Sequence, residues 1–470
     1  MSATVRVSQI AQRRPRSGPQ VRLTGLNHSK TISILSFTTF SATLTALSPR
    51  QNISCFQSRR FHSSSSSHSW AIPSVQHTGT KIQINWDSSS ASKFHNFWLR
   101  DHCRCPKCFH SVTKQRLVNT FEIPPDIAPA SVSGTSRGLE VIWDLPSHKS
   151  FYDWEWLKSN SYDPLFPEAR SSVTAYGRIS SNVKLWGRDI ESHPPTVTHD
   201  SVMEDDKGLF DMLEKIVDFG FCFIKGVDAT PQATEELTMK IGNIRHTQYG
   251  GFWDFTSDLA KGDTAYTTLA LQAHTDTTYF TDPCGLQLFH LLSHTNGHGG
   301  ESLLVDGFHV ASLLHSSNPE AFDILTRVRV PTHAAGEPGA FYSSAPGNPI
   351  INLGHGSRSK DVVQIRYNND DRSVMKDLKS AELEKWYDAL RLWDKHLKDK
   401  DVEYWVQLQP GTAVVVDNHR VLHGRSAFTG KRRMCGAYVG MDDFLSKFTV
   451  LSEKFSPDNK AGRNIWSPLL

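Results

Sequence analysis

Short stretches of the chain either alternate apolar and polar residues or run apolar throughout, and both patterns predict β-strands. Glycine, proline and aspartate separate these stretches, as expected for turns. The predicted strands are residues 81–86, 139–143, 221–227, 285–292, 302–305, 362–367, 411–416 and 434–439. The segment 265–273 is also expected to be extended, and it leads into a group of polar residues.

Apolar residues at helical spacing predict helices at 205–219, 230–241 and 380–396, with a short helix beginning at Trp154. Gly220 is placed to end the first of these, and Pro231 takes the first position of the second, which are positions that these residues favour. Many short strands behind two helices predict a jelly-roll barrel, that is a double-stranded β-helix, at 201–455. The predicted fold class is mainly β with flanking helices (α+β), with a small β-rich domain at 78–165 before the barrel.

The composition allows a folded core and gives no sign of a fibrous or membrane-spanning protein. The 470 residues suffice for two or three domains, and 38% of them are hydrophobic. This excludes a wholly disordered, collagenous or coiled-coil chain, and no run of about 18 apolar residues points to a transmembrane helix. The 51 basic and 48 acidic residues are nearly balanced, so bulk charge gives no argument for nucleic acid as a partner.

The positive charge is concentrated at the amino terminus. Residues 1–70 contain nine basic residues and no acidic residue, whereas the remainder has 42 basic against 48 acidic residues. An arginine-rich, serine-rich, acid-free leader is typical of a transit peptide, which predicts import into the mitochondrial matrix. The segment 59–63 resembles a processing site, and a disordered basic tail is the alternative interpretation. Residues 166–200 are predicted as a linker, and residues 456–470 as a tail.

Three cysteines lie within six residues of the small domain and predict a metal site. They are Cys103, Cys105 and Cys108. Three thiolates on one turn can bind a single Zn²⁺, and a fourth ligand would close a structural tetrahedron. The candidates for that ligand are His102, His110 and His148; of these, His148 would join two separate elements. Three reduced buried cysteines, or a redox role, are the alternatives.

The large domain contains a His-x-Asp motif, His274-Thr275-Asp276, at the end of an extended segment. Because residues two apart in a strand point the same way, both side chains can share one metal ion. A third ligand is available from His419 or His423, about 150 residues later. Two histidines and one carboxylate leave coordination positions free, which suits Fe²⁺ that must also bind a bidentate co-substrate and O₂.

A dicarboxylic keto acid that chelates iron at one end needs a cation for its other carboxylate, and a guanidinium fits best. Arg432 and Arg433 follow His423 by nine and ten residues on a predicted strand. Side chains alternate along a strand, so only one of the two arginines faces the barrel interior.

Four segments together resemble the trimethyllysine and γ-butyrobetaine dioxygenase family of Fe(II)/2-oxoglutarate oxygenases over roughly residues 80–450. The segments are 265–285, 304–308, 365–369 and 417–425. The butyrobetaine enzymes usually have Leu-Pro after the His-x-Asp motif, where this chain has Thr277 and Thr278, so the resemblance favours the trimethyllysine branch.

The resemblance implies a role for each candidate residue. It implies that the catalytic iron ligands are His274, Asp276 and His423, that Arg432 binds 2-oxoglutarate, and that the zinc ligands are Cys103, Cys105, Cys108 and His148. A trimethylammonium group has no N–H to donate and is best held by aromatic faces. The implied cage residues are Tyr249, Trp253 and Tyr266, and Asn368 and Asn369, beside Arg366 or Tyr367, are candidates to hold the amino-acid end of the substrate.

The activity implied is hydroxylation of N6,N6,N6-trimethyllysine at C3, with release of succinate and CO₂, as the first step of carnitine biosynthesis. The implied cofactors are Fe²⁺, 2-oxoglutarate and structural Zn²⁺, with ascorbate as reductant and O₂ as co-substrate. A homodimer is implied, without nucleic acid or membrane insertion. The alternatives are γ-butyrobetaine hydroxylation, a dioxygenase for another small anion such as a sulfonate, and a non-enzymatic binding protein in which the zinc module docks a partner.

Overall fold

The computed structural model describes residues 72–144, 147–166, 183–256, 267–344, 346–354 and 361–455. Tyr266, the predicted transit peptide and the predicted tail lie outside these residues. None of the described helices is long and apolar enough to cross a membrane.

The first part of the described chain is a small β-rich module. Its strands are β1 (Ser74–Thr78), β2 (Lys81–Asn85), β3 (Ala91–His95), β4 (Phe109–His110), β5 (Gln115–Arg116), β6 (Pro129–Gly134), β7 (Gly138–Trp143) and β8 (His148–Asp153), and its helices are α1 (Asn96–Asp101) and α2 (Trp154–Ser159). The antiparallel sheets β1-β2-β3 and β6-β7-β8 contribute Ile82, Ile84, Leu139 and Val141 to one apolar core. The alternation along β2 and β7 therefore reflects one buried face, as the sequence predicts.

The remaining strands build the large domain. They are β9 (Thr196–Thr198), β10 (Phe221–Lys225), β11 (Trp253–Thr256), β12 (Leu271–His274), β13 (Leu286–Thr295), β14 (Ser302–Asp306), β15 (His333–Ala334), β16 (Tyr342–Ser343), β17 (Ile351–Leu353), β18 (Val362–Ile365), β19 (Tyr404–Val406), β20 (Thr412–Asp417), β21 (Val421–Arg425) and β22 (Lys431–Val439). A six-stranded sheet has the order β11-β22-β13-β20-β10-β9, and a four-stranded sheet has the order β12-β21-β14-β19.

The two sheets face each other across a shared apolar core. Leu291 and Val414 of the large sheet pack in one cluster with Leu304 and Val421 of the small sheet. Neighbouring residues such as Val415 point to the opposite face and pack against helices. The predicted barrel is therefore present, and its interior is filled by alternate residues of each strand.

Helices cover the outer faces of both sheets. They are α3 (His199–Glu204), α4 (Asp206–Phe219), α5 (Pro231–Ile241), α6 (Gly307–Ser317), α7 (Pro319–Arg327), α8 (Ser380–Leu397) and α9 (Met441–Phe455). Residues of α4, α5 and α9 share a core with the large sheet, and residues of α6, α7 and α8 share one with the small sheet. Gly220 ends α4 with a φ of +80°, a left-handed conformation that glycine adopts without strain.

Part of the segment predicted as a linker is built into the large domain. The backbone N–H of Trp186 donates to Asp306 (3.2 Å), and its indole N–H donates to the carbonyl of Phe219 (2.6 Å). Farther along, β9 pairs in parallel with β10. The described residues from 183 onward therefore stabilise the barrel instead of only connecting to it.

Candidate active site

Two histidines and one aspartate converge where β12 pairs with β21 in the small sheet. His274, the last residue of β12, lies directly opposite His423 of β21, and their ring centroids are 4.5 Å apart. Asp276 Oδ1 lies 3.3 Å from His274 Nε2 and 3.8 Å from His423 Nε2. The ligand atoms of these three side chains all lie within 4.8 Å of one another, so they could hold a single metal ion.

The aspartate reaches this position through a turn, which differs from the alternation predicted by the sequence. Strand β12 ends at His274, and Thr277 has a φ of +56°. The side chain of Asn418 fixes the turn because it accepts from the backbone N–H of Asp276 (2.7 Å) and donates to its carbonyl (3.0 Å). The spacing of the His-x-Asp motif correctly indicated that the two side chains lie together. The turn that brings Asp276 there depends on Asn418, which is 142 positions away in the sequence.

Hydrogen bonds fix the orientation of the candidate metal ligands. Asp276 Oδ2 accepts from the Gln287 amide (2.6 Å) and the Tyr438 hydroxyl (2.7 Å), which leaves Oδ1 directed at the histidines. His274 donates from Nδ1 to the carbonyl of Gln272 (2.8 Å), so its Nε2 is available as a ligand. The sequence reasoning missed Gln287 and Tyr438, although a buried glutamine between two leucines in β13 is an unusual feature.

The ionisation of the cluster suits a cation. Burial opposes ionisation of Asp276, but His274, His423 and the Tyr438 hydroxyl hold the pKa of this carboxyl below its ordinary range. Burial and the neighbouring His274 lower the pKa of His423 to about 3, which keeps that imidazole neutral. Burial also works against a charged His274, yet Asp276 raises the pKa of His274 to about 9. A metal ion at this point would replace the proton that these two side chains share.

A cavity of about 310 Å³ opens beside the three side chains. Tyr249 and Trp253, two of the predicted cage residues, line it together with Phe289 and Tyr438. Trp253 of β11 lies opposite Gly436 of β22, where a Cβ atom would come within 2.5 Å of the indole ring. A glycine at this position therefore lets the ring lie flat against the sheet.

The structure separates the two neighbouring arginines. Arg432 is buried, lines the cavity and has an Nε without a hydrogen-bond partner among the described residues. Burial, and then the charge of Arg425, lower the pKa of Arg432 to about 10, so the site favours an anion beside this guanidinium. Arg433 points outward, where its Nε donates to Asp254 (2.9 Å).

The candidates for the amino-acid end of the substrate lie on another wall of the cavity. Asn368 and Asn369 both line it, as does Tyr367. The backbone N–H of Thr275 donates to the carbonyl of Tyr367 (2.7 Å), which joins this wall to the His-x-Asp segment. Arg366 instead donates to the carbonyl of Thr278 from Nε (3.0 Å) and Nη2 (2.6 Å), so it supports the backbone.

His419, the other histidine offered by the sequence, lies outside the cluster of three. It is buried, and its Nε2 donates to the carbonyl of Pro283 (3.3 Å). Its own carbonyl accepts from the backbone N–H of Ile365 (2.8 Å). This geometry assigns His419 to the packing of the turn between β20 and β21.

The small module brings three cysteines and one histidine together. His148 Nε2 lies 3.3 Å from the sulfur of Cys103, 3.6 Å from that of Cys105 and 3.5 Å from that of Cys108. A tetrahedral zinc with Zn–S of about 2.3 Å and Zn–N of about 2.0 Å would separate these atoms by about 3.5 Å, so the donor set fits that ion.

The two local histidines proposed as alternatives are directed elsewhere. His102 donates from Nδ1 to the carbonyl of Trp98 (2.7 Å) and stacks on the indole ring of that residue. His110 Nδ1 accepts from the backbone N–H of Thr113 (3.1 Å), and its side chain is exposed. His148 is thus the histidine that reaches the three sulfur atoms.

A double-stranded β-helix that gathers two histidines and a carboxylate beside an open cavity is the arrangement of mononuclear non-haem iron oxygenases. Comparison with protein families agrees with this class. The model of the taurine catabolism dioxygenase TauD/TfdA family matches residues 183–438, and the model of the γ-butyrobetaine hydroxylase-like amino-terminal domain matches residues 74–158. The chain belongs to the TauD/TfdA family of dioxygenases.

Curated relatives cover most of the chain. A trimethyllysine dioxygenase of Meyerozyma guilliermondii is 42% identical over 81% of this chain and 96% of its own length. The mitochondrial trimethyllysine dioxygenase of Homo sapiens is 38% identical over 77% of this chain and 84% of its own. A γ-butyrobetaine dioxygenase of Pseudomonas sp. is 30% identical over 79% of this chain and 93% of its own.

Proposed function

We propose that this dioxygenase hydroxylates trimethyllysine at C3 with Fe²⁺ and 2-oxoglutarate, releasing succinate and CO₂, as the first step of carnitine biosynthesis. The observation that carries the proposal is that one cavity combines His274, Asp276 and His423 with a buried arginine and an aromatic wall. The trimethyllysine dioxygenases that are 38–42% identical to this chain support the choice of substrate.

The residues present fit a ferrous ion. His274 and His423 would hold it through Nε2 and Asp276 through Oδ1, while Gln287 and Tyr438 keep the other carboxylate oxygen engaged. When bound, ferrous iron would supply the activation of O₂ that is coupled to oxidative decarboxylation of the keto acid.

Arg432 would bind the remote carboxylate of 2-oxoglutarate. A buried guanidinium forms strong charge-assisted hydrogen bonds with a carboxylate, and its fork fixes the orientation of the partner. Arg433 is directed away from the cavity, since it pairs with Asp254. Bound in this way, Arg432 would determine which end of the keto acid faces the metal ligands.

Tyr249 and Trp253 would hold the trimethylammonium group, with Tyr266 as a further predicted cage residue. Their ring faces attract a cation that has no N–H to offer. Asn368 and Asn369 would contact the amino-acid end. A substrate held at both ends would present one carbon to the metal.

We further propose a structural zinc at Cys103, Cys105, Cys108 and His148. A closed set of four protein ligands has no open position for a substrate. The ion would join the loop after α1 to the start of β8 and so hold two parts of the small module together.

The leader and the relatives together support mitochondrial import, with the matrix as the proposed destination. Relatives such as the human enzyme are named as mitochondrial. Residues 1–70 contain no acidic residue, which suits transport along the membrane potential. The homodimer remains a prediction that sedimentation of the purified protein would test.

The decisive experiment is an assay of both candidate substrates. Purified protein with Fe²⁺, 2-oxoglutarate and ascorbate is incubated with trimethyllysine or with γ-butyrobetaine, and succinate and the hydroxylated product are measured. We expect trimethyllysine to drive the release of succinate. A higher rate of succinate release with γ-butyrobetaine would contradict the proposal. Metal analysis addresses the binding-protein alternative, since zinc without any bound iron after reconstitution would favour a non-enzymatic role.

A further inference from the structure

Arg100 is a cation beside the cysteine cluster, and neither the ligand set nor the proposed chemistry assigns it a role. It lies in the last turn of α1, it is half-buried, and its Nη1 donates to the sulfur of Cys108 (3.3 Å). The partner of its guanidinium in the described part of the chain is therefore a sulfur atom rather than a carboxylate.

Two other arginines close to the cluster have different surroundings. The Cζ atom of Arg104 lies 4.6 Å from the ring centroid of Phe109. Arg116 forms an ion pair with Asp101, so its charge already has a partner. Arg100 is therefore the arginine of this module that contacts a sulfur of the cluster.

The cluster would need a positive charge once it held zinc. Zinc ligands bind as thiolates and neutral imidazole, so three cysteines and one histidine around Zn²⁺ leave one net negative charge. Cys103 and Cys108 are only 2% and 3% exposed, and a buried charge is costly unless an opposite charge lies beside it. Arginine is always charged in proteins, so Arg100 offers that charge at one of the two buried sulfurs. Lys107 is exposed, and water screens its charge.

The sulfur of Cys103 has a neutral partner instead. It lies within hydrogen-bonding reach of the Ser150 hydroxyl, whose oxygen also accepts from the indole N–H of Trp143 (2.8 Å). Ser150 is fully buried and follows His148 by two residues in β8, so both side chains point to the same face of the strand. A hydroxyl can form a hydrogen bond with a sulfur but cannot offset the net charge of the centre, which leaves that role to Arg100.

We propose that Arg100 is a positioning residue of the zinc site: its guanidinium supplies the counter-charge of the zinc–thiolate centre and orients the sulfur of Cys108 through an N–H···S hydrogen bond. The proposal rests on the structural zinc proposed above and is independent of the iron chemistry. Hydrogen-bond partners of metal ligands typically contribute about 10- to 100-fold to metal affinity.

The test measures the zinc affinity of the full-length protein by competition with a chromogenic zinc chelator, at fixed pH and with a phosphine that keeps the thiols reduced. We expect Arg100→Met to weaken zinc binding about 10- to 100-fold, because both the charge and the N–H donor are lost. Arg100→Gln keeps an N–H donor without the charge, whereas Arg100→Lys keeps the charge. The loss of affinity should therefore be larger for Arg100→Gln than for Arg100→Lys. This comparison decides the question even if Arg100→Met fails to fold.

Arg116→Met is the matched control. It removes a guanidinium of the same module that pairs with a carboxylate, and it should leave the zinc affinity within about threefold, because a partly exposed ion pair contributes little. Cobalt(II) in the same site gives a second measurement, since its sulfur-to-metal charge-transfer absorption reports the electron density on sulfur. Loss of an N–H donor leaves more electron density there, so Arg100→Met should shift this absorption to longer wavelength. A substitution that only destabilises the fold would not produce this shift.

The outcomes separate the proposals from each other. If the unmodified protein binds no zinc, both the structural zinc and the role of Arg100 are overturned, while the proposed hydroxylation is untouched. If it binds zinc, the role of Arg100 alone is overturned by any of three results: Arg100→Met keeps its affinity, Arg100→Lys loses as much as Arg100→Gln, or Arg116→Met loses as much as Arg100→Met. A loss confined to the variants without the charge at position 100, together with the cobalt shift, supports the proposal.

Discussion

Arg432 shows how a single buried charge can indicate a ligand. A guanidinium at 5% exposure is costly unless it is paired, and Arg432 Nε has no hydrogen-bond partner among the described residues, while Cζ lies 5.6 Å from the ring centroid of Phe428. Its neighbour Arg433 pairs with Asp254 at the surface. The difference between these adjacent residues follows from the alternation of β22, and it provides a matched pair for mutation.

Arg432→Met should raise the KM for 2-oxoglutarate by about 100-fold, because a charge-assisted bidentate contact is lost. The KM for trimethyllysine should change much less. Initial rates of succinate formation over a range of 2-oxoglutarate concentrations give both values. Arg433→Met is the control, and an equal effect of the two substitutions would argue against a specific role for Arg432.

Trp253→Ala should weaken binding of the trimethylated substrate far more than binding of the keto acid. Loss of one aromatic face from a cation costs about 0.5–2 kcal/mol, so we expect KM for trimethyllysine to rise about 10-fold. Binding of 2-oxoglutarate to the iron-loaded protein, followed by absorbance, should be nearly unchanged. The control is Trp405→Ala, which removes a half-exposed tryptophan outside the proposed cage. If Trp253→Ala weakened the binding of trimethyllysine and of 2-oxoglutarate equally, Trp253 would have a packing role.

The individual site residues could be predicted to very different extents. His274 and Asp276 are two positions apart, so their spacing alone made them candidates. Spacing left His419 and His423 as alternatives for the third ligand, and the family resemblance favoured His423, which the structure places beside the other two. Gln287 interrupts an apolar strand, but its hydrogen bond to Asp276 could not be predicted, because it depends on how β13 folds against the motif. The alternation of side chains along the strand predicted that one of Arg432 and Arg433 faces the interior, but not which one; their burial in the structure shows that it is Arg432.

At the level of strands and helices, the local pattern of apolar residues predicted whether a segment is a strand or a helix, but not which strands pair with each other. The strand at 411–416 and the helix at 205–219 follow directly from apolar spacing and a terminal glycine. The registration of His274 against His423 joins residues 149 positions apart, which no local pattern specifies. Helix α6 was missed because buried residues occur on several of its sides, which blurs the helical period.

The ion pair of Arg420 and Asp306 links three separate elements of the barrel. Both side chains are at most 1% exposed, and Arg420 donates to Asp306 from Nε (3.0 Å) and Nη2 (2.8 Å). The guanidinium also donates to the carbonyl of Asp218, and the aspartate accepts from the N–H of Trp186. The pair therefore attaches the end of α4 and the segment before β9 to the small sheet.

Asp306→Asn should lower the free energy of unfolding by about 3–5 kcal/mol, because the buried Arg420 would lose its counter-charge. Urea unfolding followed by tryptophan fluorescence provides the measurement. Asp323→Asn, at an exposed ion pair with Arg327, should cost less than about 1 kcal/mol and serves as the control. Similar decreases in the free energy of unfolding of the two variants would show that the buried ion pair stabilises the protein no more than the exposed one.

Across the whole molecule, the two candidate metal clusters lie in segments that match different family models. The cysteine cluster falls within residues 74–158 and the His-Asp-His cluster within residues 183–438. Their donors also differ in kind, since thiolates suit zinc while two imidazoles and a carboxylate suit iron. Removal of one metal should therefore leave the ligands of the other intact.

Cys105→Ala should abolish bound zinc while the protein still binds one equivalent of iron. Zinc in a closed four-ligand site contributes directly to folding, so the small module should also melt at a lower temperature. Elemental analysis gives the metal content, and calorimetry gives the melting transitions. Cys222→Ala, which removes a buried thiol of β10 outside the cluster, should keep both metals. Zinc retained by the Cys105 variant would exclude that residue as a ligand, and simultaneous loss of iron would show that the two sites depend on each other.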